Sequence, residues 1–284
     1  MSTLADALLT ASARLTGSDS PRLDAELLLA HALGRERSHL RAHADAELTP
    51  AQAAEFERLV SSRVRGEPIA YLTGKREFWS LELKVTPATL IPRPETELLV
   101  EQALNLLPPG IASDILDLGT GSGAIALAIA KERPRCRITA VDISEDALAV
   151  ARANAAAHKL TNLEFLQGDW FAPIAARRFQ MIVSNPPYVA AADPHLAEGD
   201  LRFEPAQALA SGADGLQDIR RIVSAAPRHL SAGGHLLLEH GYQQAAAVRG
   251  LLQTAGFMDV RSVRDLAAHE RISLAQHANA AAAR

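Results

Sequence analysis

From Ser113 onward, short apolar runs and longer helical segments alternate along the chain, and this rhythm constrains the fold more than any other feature. The strands read as Ile115–Leu118, Arg137–Asp142, Leu163–Gly168, Phe179–Ser184 and His235–Glu239. Between and after them fall helices Ala124–Glu132, Glu145–His158, Gln217–Leu230 and Tyr242–Thr254, and the tail adds strands Val260–Arg264 and Ile272–Ala275. Such alternation implies an α/β, Rossmann-like, mostly parallel sheet with helices on both faces. Ligands of these sheets bind at the carboxyl ends of the strands, so the chemistry is sought there.

The first strand runs into Gly119-Thr120-Gly121-Ser122-Gly123. Glycines let the backbone turn sharply and approach a ligand closely. Gly119, Gly121 and Ala124 also satisfy a dinucleotide fingerprint, and a tight strand-to-helix turn would use the same residues. The second strand ends at Asp142, about twenty residues on, where a carboxylate accepts from ribose hydroxyls. The third ends in Gly168-Asp169-Trp170. Asp169 can accept from an adenine amino group, and Trp170 offers either a flat face for the purine or a core aromatic.

The fourth strand is followed by Asn185-Pro186-Pro187-Tyr188. The Asn185 side-chain carbonyl and the Pro186 backbone carbonyl can accept the two N–H groups of a planar amino group. Tyr188 can pack against it. Proline carries no N–H, so this loop presents acceptors. An amide nitrogen is a poor nucleophile, and such a frame would align its lone pair and stabilise the charge that develops on it. An ordinary proline turn is the plainer alternative. This motif favours an amino-methylating enzyme over a nicotinamide one.

Ahead of the sheet, residues 1–74 read as short amphipathic helices. Leu4, Leu8 and Leu15 lie on one face, Leu27, Leu28 and Ala32 on another, and Thr49-Pro50 has the form of an N-cap and first helical residue. Residues 75–92 read as a β-hairpin linker, with Glu77–Trp79 and Leu81–Val85 as its strands. Ile91-Pro92-Arg93-Pro94-Glu95-Thr96-Glu97 is stiff and extended before a helix. The catalytic domain is expected over 93–278, with the Ala-rich end from Ala278 frayed.

At these residues the chain resembles the HemK-type (PrmC-type) release-factor glutamine methyltransferases. The resemblance runs from the helical N-terminal region to about residue 275. It is carried by Ile91 to Glu97, Asp117 to Gly123, Gly168 to Trp170, Ser184 to Tyr188, Arg202-Phe203-Glu204-Pro205 and Leu238-Glu239-His240-Gly241. It implies a class I S-adenosylmethionine methyltransferase sheet, and methylation of the N5 amide of the glutamine in the Gly-Gly-Gln loop of class 1 peptide chain release factors. It implies that Gly119 to Gly123, Asp142, Asp169, Trp170 and Asn185 contact S-adenosylmethionine, and that Asn185 to Tyr188 hold the glutamine. Arg93 would lie by the active-site mouth, Val189 to Phe203 would form a flap, and residues 1–74 would grip the release factor. One departure stands out: Ala268 occupies a position where the family usually has glycine.

Rival readings share the tetrad. A sister enzyme acting on a ribosomal protein differs in its N-terminal region. An adenine-N6 nucleic-acid methyltransferase would want a basic cleft, yet the net charge is −4 and the first 75 residues hold nine basic against ten acidic side chains. A fold retained for binding without turnover would not need the tetrad intact. The single cysteine, Cys136, permits no internal disulfide and disfavours a cysteine metal site. With no signal peptide or apolar span, the expectation is a cytoplasmic monomer, with no metal, no direct nucleic-acid partner and no membrane.

Overall fold

The structure is a computed structural model that describes residues 2–278; the tail beyond Ala278, expected to fray, lies outside the described residues. The chain divides into two compact units. One comprises Met1–Lys75 with Ala197–Phe203, and the other Arg76–Leu196 with Glu204–Arg284.

The smaller unit is helical: α1 (Leu4–Arg14), α2 (Pro21–Leu33), α3 (Arg37–Ala42), α4 (Pro50–Val64) and α5 (Ile69–Thr73). Thr49 does cap α4. Its hydroxyl accepts from the Gln52 backbone N–H while the Gln52 side chain accepts from the Thr49 backbone, satisfying two otherwise orphaned donors. The apolar faces of α1, α2 and α4 meet in one core of Leu4, Leu8, Leu15, Leu28, Leu29 and Leu59. On α2 the inward face is Ala25, Leu28 and Leu29, whereas Leu27 and Ala32 are only partly covered, so the apolar stripe is rotated from the sequence expectation. Asp24 is buried because Arg63 pairs with it at 2.8 Å. The same guanidinium also holds Asp200 of the 197–203 excursion, at 2.9 Å.

The larger unit opens with a hairpin, β1 (Lys75–Phe78) and β2 (Leu81–Lys84). Trp79, expected in the strand, forms the turn with Ser80. Both have positive φ, 52° and 53°, the left-handed pair that a two-residue hairpin needs to match strand twist. Phe78, Leu81 and Leu83 are built into the core of this unit.

Helix α6 (Glu97–Leu106) follows. Then come β3 (Asp114–Leu118), α7 (Ala124–Glu132), β4 (Arg137–Asp142), α8 (Glu145–Ala157), β5 (Leu163–Gln167), β6 (Phe179–Ser184), α9 (Gln217–His229), β7 (Leu230–Glu239), α10 (Ala245–Thr254), β8 (Met258–Arg264) and β9 (Glu270–Gln276). They form one seven-stranded sheet ordered β5-β4-β3-β6-β7-β9-β8. β3 to β7 run parallel, and β9 pairs antiparallel with β7 and β8. Period-two alternation sorts the side chains. Ile115, Met181, Val183 and Leu237 face a core with α6 and α7, while Leu116, Leu118, Ile182, Leu236 and Leu238 face one with α9 and α10. β7 starts five residues earlier than expected. Its register against β6 shifts between Phe179 and Met181, and Gly233, at φ 72°, lets the added residues bulge without leaving the ladder.

The order reverses direction between β3 and β6. This is the switch point at which adjacent loops diverge and leave a crevice. Among the described residues no helix is long and apolar enough to cross a membrane.

Candidate active site

Asp117, at the end of β3, is fully buried. Its Oδ2 accepts from the Thr120 hydroxyl at 2.7 Å, and its Oδ1 has no partner. Burial drives this carboxyl up to about 7, against the pull of Thr120 and with a smaller push from Asp142. The glycine loop is pinned from outside the turn. The Gly119 and Thr120 N–H groups donate to the Val141 carbonyl at 2.8 and 3.0 Å, and the Gly121 N–H donates to Asp142 Oδ2 at 2.8 Å. Gly123 caps α7 at φ 88°, where a Cβ would lie 2.5 Å from Leu127 Cδ1. A Cβ on Gly121 would meet nothing within 4 Å, since that glycine faces open space.

That space is a cavity of about 200 Å³, lined by Gly119, Gly121, Asp142, Asp169, Trp170 and Asn185 among others. Residues chosen from four strand ends therefore meet in one place. Thr120, Ser122 and Gly123 stand behind the loop and shape it. The Ser122 carbonyl accepts from Asn154 of α8 at 2.9 Å. Asp142 sits in the cavity wall with Oδ1 accepting from the Ser144 N–H at 2.9 Å; burial raises its pKa. Trp170 has a left-handed backbone, φ 49°. It packs on Gly119 and donates its indole N–H to Asp218 at 3.2 Å. Asp169 is paired with Arg221, which also lines the cavity.

The loop after β6 is fastened by the Ser184 hydroxyl, which donates to the Leu118 carbonyl at 2.7 Å. Asn185 Nδ2 donates to Thr96 Oγ1 at 3.2 Å. The Tyr188 hydroxyl donates to Glu239 Oε1 at 3.3 Å, and the Tyr188 carbonyl accepts from Gln244 at 2.9 Å. Burial, with the Glu239 charge next, pushes the Tyr188 phenol well above its ordinary value. Among the described residues, neither Asn185 Oδ1 nor the Pro186 carbonyl takes part in a hydrogen bond. Of the tetrad, Asn185 and Pro187 line the cavity, whereas Pro186 and Tyr188 do not.

Two family models match the chain, one described as the PrmC N-terminal domain over residues 6–74 and one as the methyltransferase small domain over residues 94–212. The release factor glutamine methyltransferase of Yersinia pestis is 54% identical over 268 residues, covering 94% of this chain and 96% of that protein. The enzyme of the same name from Pseudomonas aeruginosa is 54% identical over 266 residues, 93% of this chain and 96% of its own length. This chain belongs to the release factor glutamine methyltransferase family. A solved methyltransferase from Pyrococcus furiosus shares the fold, with a TM-score of 0.54 at 17% identity over 77% of this chain and 97% of that one.

As a member of this family the chain is a glutamine methyltransferase. Arg93, expected near the mouth, does not line the cavity. Its guanidinium pairs with Glu204, a carboxylate whose Oε2 also accepts from the Ile91 N–H at 3.1 Å. The Ile-Pro-Arg-Pro segment is thereby clamped from the Arg-Phe-Glu-Pro stretch, two family motifs whose link the sequence did not reveal. Sequence reasoning also missed Thr96, Glu239, Asp218 and Arg221. Thr96 and Glu239 lie inside family stretches, which gave them no role. Asp218 and Arg221 sit on α9 as unremarkable helix charges.

Proposed function

We propose that this enzyme transfers the methyl group of S-adenosylmethionine to the side-chain N5 of the glutamine in the Gly-Gly-Gln motif of class 1 peptide chain release factors. The observation that carries its chemistry is the unused acceptor Asn185 Oδ1 in the wall of the glycine-loop cavity, with the unused Pro186 carbonyl next to it in the chain. The cavity suits an adenosyl cofactor: Gly121 leaves backbone open to it, Asp142 offers further lone pairs to ribose hydroxyls, and Trp170 and Asp169 border it. When bound, the cofactor supplies a methyl carbon already activated by its sulfonium.

The protein's part is alignment. Asn185 Oδ1 and the Pro186 carbonyl would each accept one N–H of the glutamine amide, turning its lone pair toward the methyl carbon. As the N–C bond forms and the S–C bond breaks, positive charge moves to nitrogen, and the two acceptor oxygens stabilise it. The nitrogen then loses a proton and remains a neutral N-methyl amide. Pro187 lines the cavity, and Tyr188 walls the planar group. Residues 1–74 supply the grip on the release factor. The enzyme would work in the cytoplasm, where its one buried thiol, Cys136, stays reduced.

Incubation with isotopically labelled S-adenosylmethionine and an unmethylated release factor tests this. Label is expected in the release factor and absent when its motif glutamine is replaced. Asn185→Ala is expected to lower kcat by about 100-fold or more, the scale of a lost oxyanion-type contact, with cofactor affinity largely kept. Label in DNA or a ribosomal protein instead, or an Asn185→Ala enzyme at the normal rate, would overturn the reading.

A further inference from the structure

Trp170 borders the cofactor cavity at a left-handed backbone position, φ 49°, with its indole against Gly119 of the glycine loop. A flat ring serves a purine only when it is held in the right plane. The indole has one hydrogen-bond donor, and that N–H goes to Asp218 Oδ1 at 3.2 Å. Asp218 lies 48 positions further along the chain, in the first turn of α9, and lines the same cavity.

Asp218 is itself held on both oxygens. The Ser211 hydroxyl donates to Oδ2 at 2.7 Å, and the Asp218 backbone N–H donates back to the Ser211 oxygen at 2.8 Å. Arg221, one helical turn on, donates to Oδ1 at 3.3 Å and with its other terminal nitrogen to Asp169 Oδ2. Ser211 is tied in turn to the strand that leaves the tetrad, since its backbone N–H donates to the Val189 carbonyl at 2.9 Å. One carboxylate therefore joins the Trp170 wall of the cavity to the residue that follows Tyr188. Resting on the S-adenosylmethionine reading given above, we propose that Asp218 is a positioning residue for the cofactor. It sets the plane of the Trp170 indole, the face on which the adenine lies.

An aspartate in a first helical turn has a plainer use, accepting unpaired backbone N–H groups and meeting the positive end of the helix dipole. Asp218 gives neither oxygen to a backbone N–H of α9. Among the described residues its carboxylate accepts from the indole, the Ser211 hydroxyl and Arg221. A residue that served the helix start alone would not turn Oδ1 to an indole on the cavity wall.

The test compares wild type with Asp218→Ala, Asp218→Asn, Trp170→Phe and the Asp218→Ala/Trp170→Phe double variant, with S-adenosylmethionine titrated by calorimetry in the absence of a methyl acceptor. Asp218→Ala and Trp170→Phe are each expected to weaken binding by about tenfold, the scale of one hydrogen bond. The double variant is expected to lose about tenfold as well, where independent sites would lose about 100-fold. Asp218→Asn keeps an acceptor for the indole and is expected to stay within about threefold of wild type. In turnover the loss in Asp218→Ala is expected in KM for the cofactor rather than in kcat. Trp170→Phe breaks the same bond from the other side and leaves the Ser211–Asp218 exchange intact, so the bond is read even if Asp218→Ala folds poorly. A second readout needs no cofactor. The chain has two tryptophans, so in a Trp79→Phe background the fluorescence anisotropy reports Trp170 alone. It is expected to fall in Asp218→Ala and to hold in Asp218→Asn. Wild-type affinity in Asp218→Ala, additive losses in the double variant, a loss confined to kcat, Asp218→Asn as impaired as Asp218→Ala, or an indole as rigid without Asp218 as with it would overturn the proposal. Failure of wild type to bind S-adenosylmethionine would instead sink the cofactor reading, while the anisotropy would still report whether Asp218 holds the indole.

Discussion

Asp117 and Glu239 are carboxyls that water does not reach, one at the end of β3 and one at the end of β7. Each keeps one oxygen without a hydrogen-bond partner, and burial drives each up to about 7. For Glu239 the Thr96 and Tyr188 hydroxyls and the Arg271 charge pull the other way, and Glu95 adds a small push. A raised acid favours the neutral form in the fold. Its stabilising contribution is complete below the unfolded value, near 4.5, and is lost as pH rises to about 7, beyond which both states are ionised and the dependence flattens. Glu239→Gln cannot ionise, so its stability relative to wild type is expected to increase by on the order of 3 kcal/mol between pH 4.5 and 7.5. Urea unfolding of both proteins across that range checks this, because carboxylates common to both cancel in the difference. A difference that stays constant with pH would mean that Glu239 is ionised throughout.

The turn between β8 and β9 shows how one residue alters an element without touching the site. Ala268, the one departure noted in the sequence, has φ 63°. The Asp265 carboxylate holds the turn by accepting from the Ala267 and His269 N–H groups, both at 2.9 Å. Those bonds, the one from His269 first, keep its pKa low. A Cβ at a left-handed position costs about 1–2 kcal/mol, and glycine returns about 0.5–1 kcal/mol of that as backbone entropy. Ala268→Gly is therefore expected to stabilise the protein by about 0.5–1 kcal/mol with unchanged kcat; a lower urea midpoint would show that the turn relaxes around alanine at no cost. The sequence revealed that this position was unusual. It could not reveal the backbone angle that makes it so. The same limit runs through the rest of the chain. The strands of the sheet were legible because period-two and helical patterns are local, and the glycine loop, Asp142 and Asn185 were legible because each stands at a strand end. Thr96, Glu239 and Glu204 were not, since their roles lie in contacts that join residues 89, 51 and 111 positions apart. The turn at Trp79 and Ser80 was obscured because neither residue favours positive φ.

On the proposed function, the division into a helical unit and a methyltransferase unit would separate recognition from reaction. There Asn185 and Pro186 would offer two acceptors to one planar NH2 group, and that frame carries no information about the residues flanking a glutamine. Any exposed glutamine amide would satisfy it. Selectivity for one motif in one class of protein must be supplied by surface beyond the tetrad, and the matched N-terminal domain over residues 6–74 is the part of the chain with no other assigned task. With nine basic and ten acidic residues in its first 75 positions, it has no excess charge to draw in nucleic acid. A short peptide bearing Gly-Gly-Gln and an intact release factor should then differ mainly in binding. The peptide is expected to show a kcat/KM lower by about 100-fold or more, equivalent to about 3 kcal/mol of lost contact. Most of that loss should appear in KM, since the alignment of the amide is left to the same two oxygens. Steady-state methylation of the two substrates side by side measures it. Equal KM values would place recognition within the motif itself and leave the helical unit without a part in it.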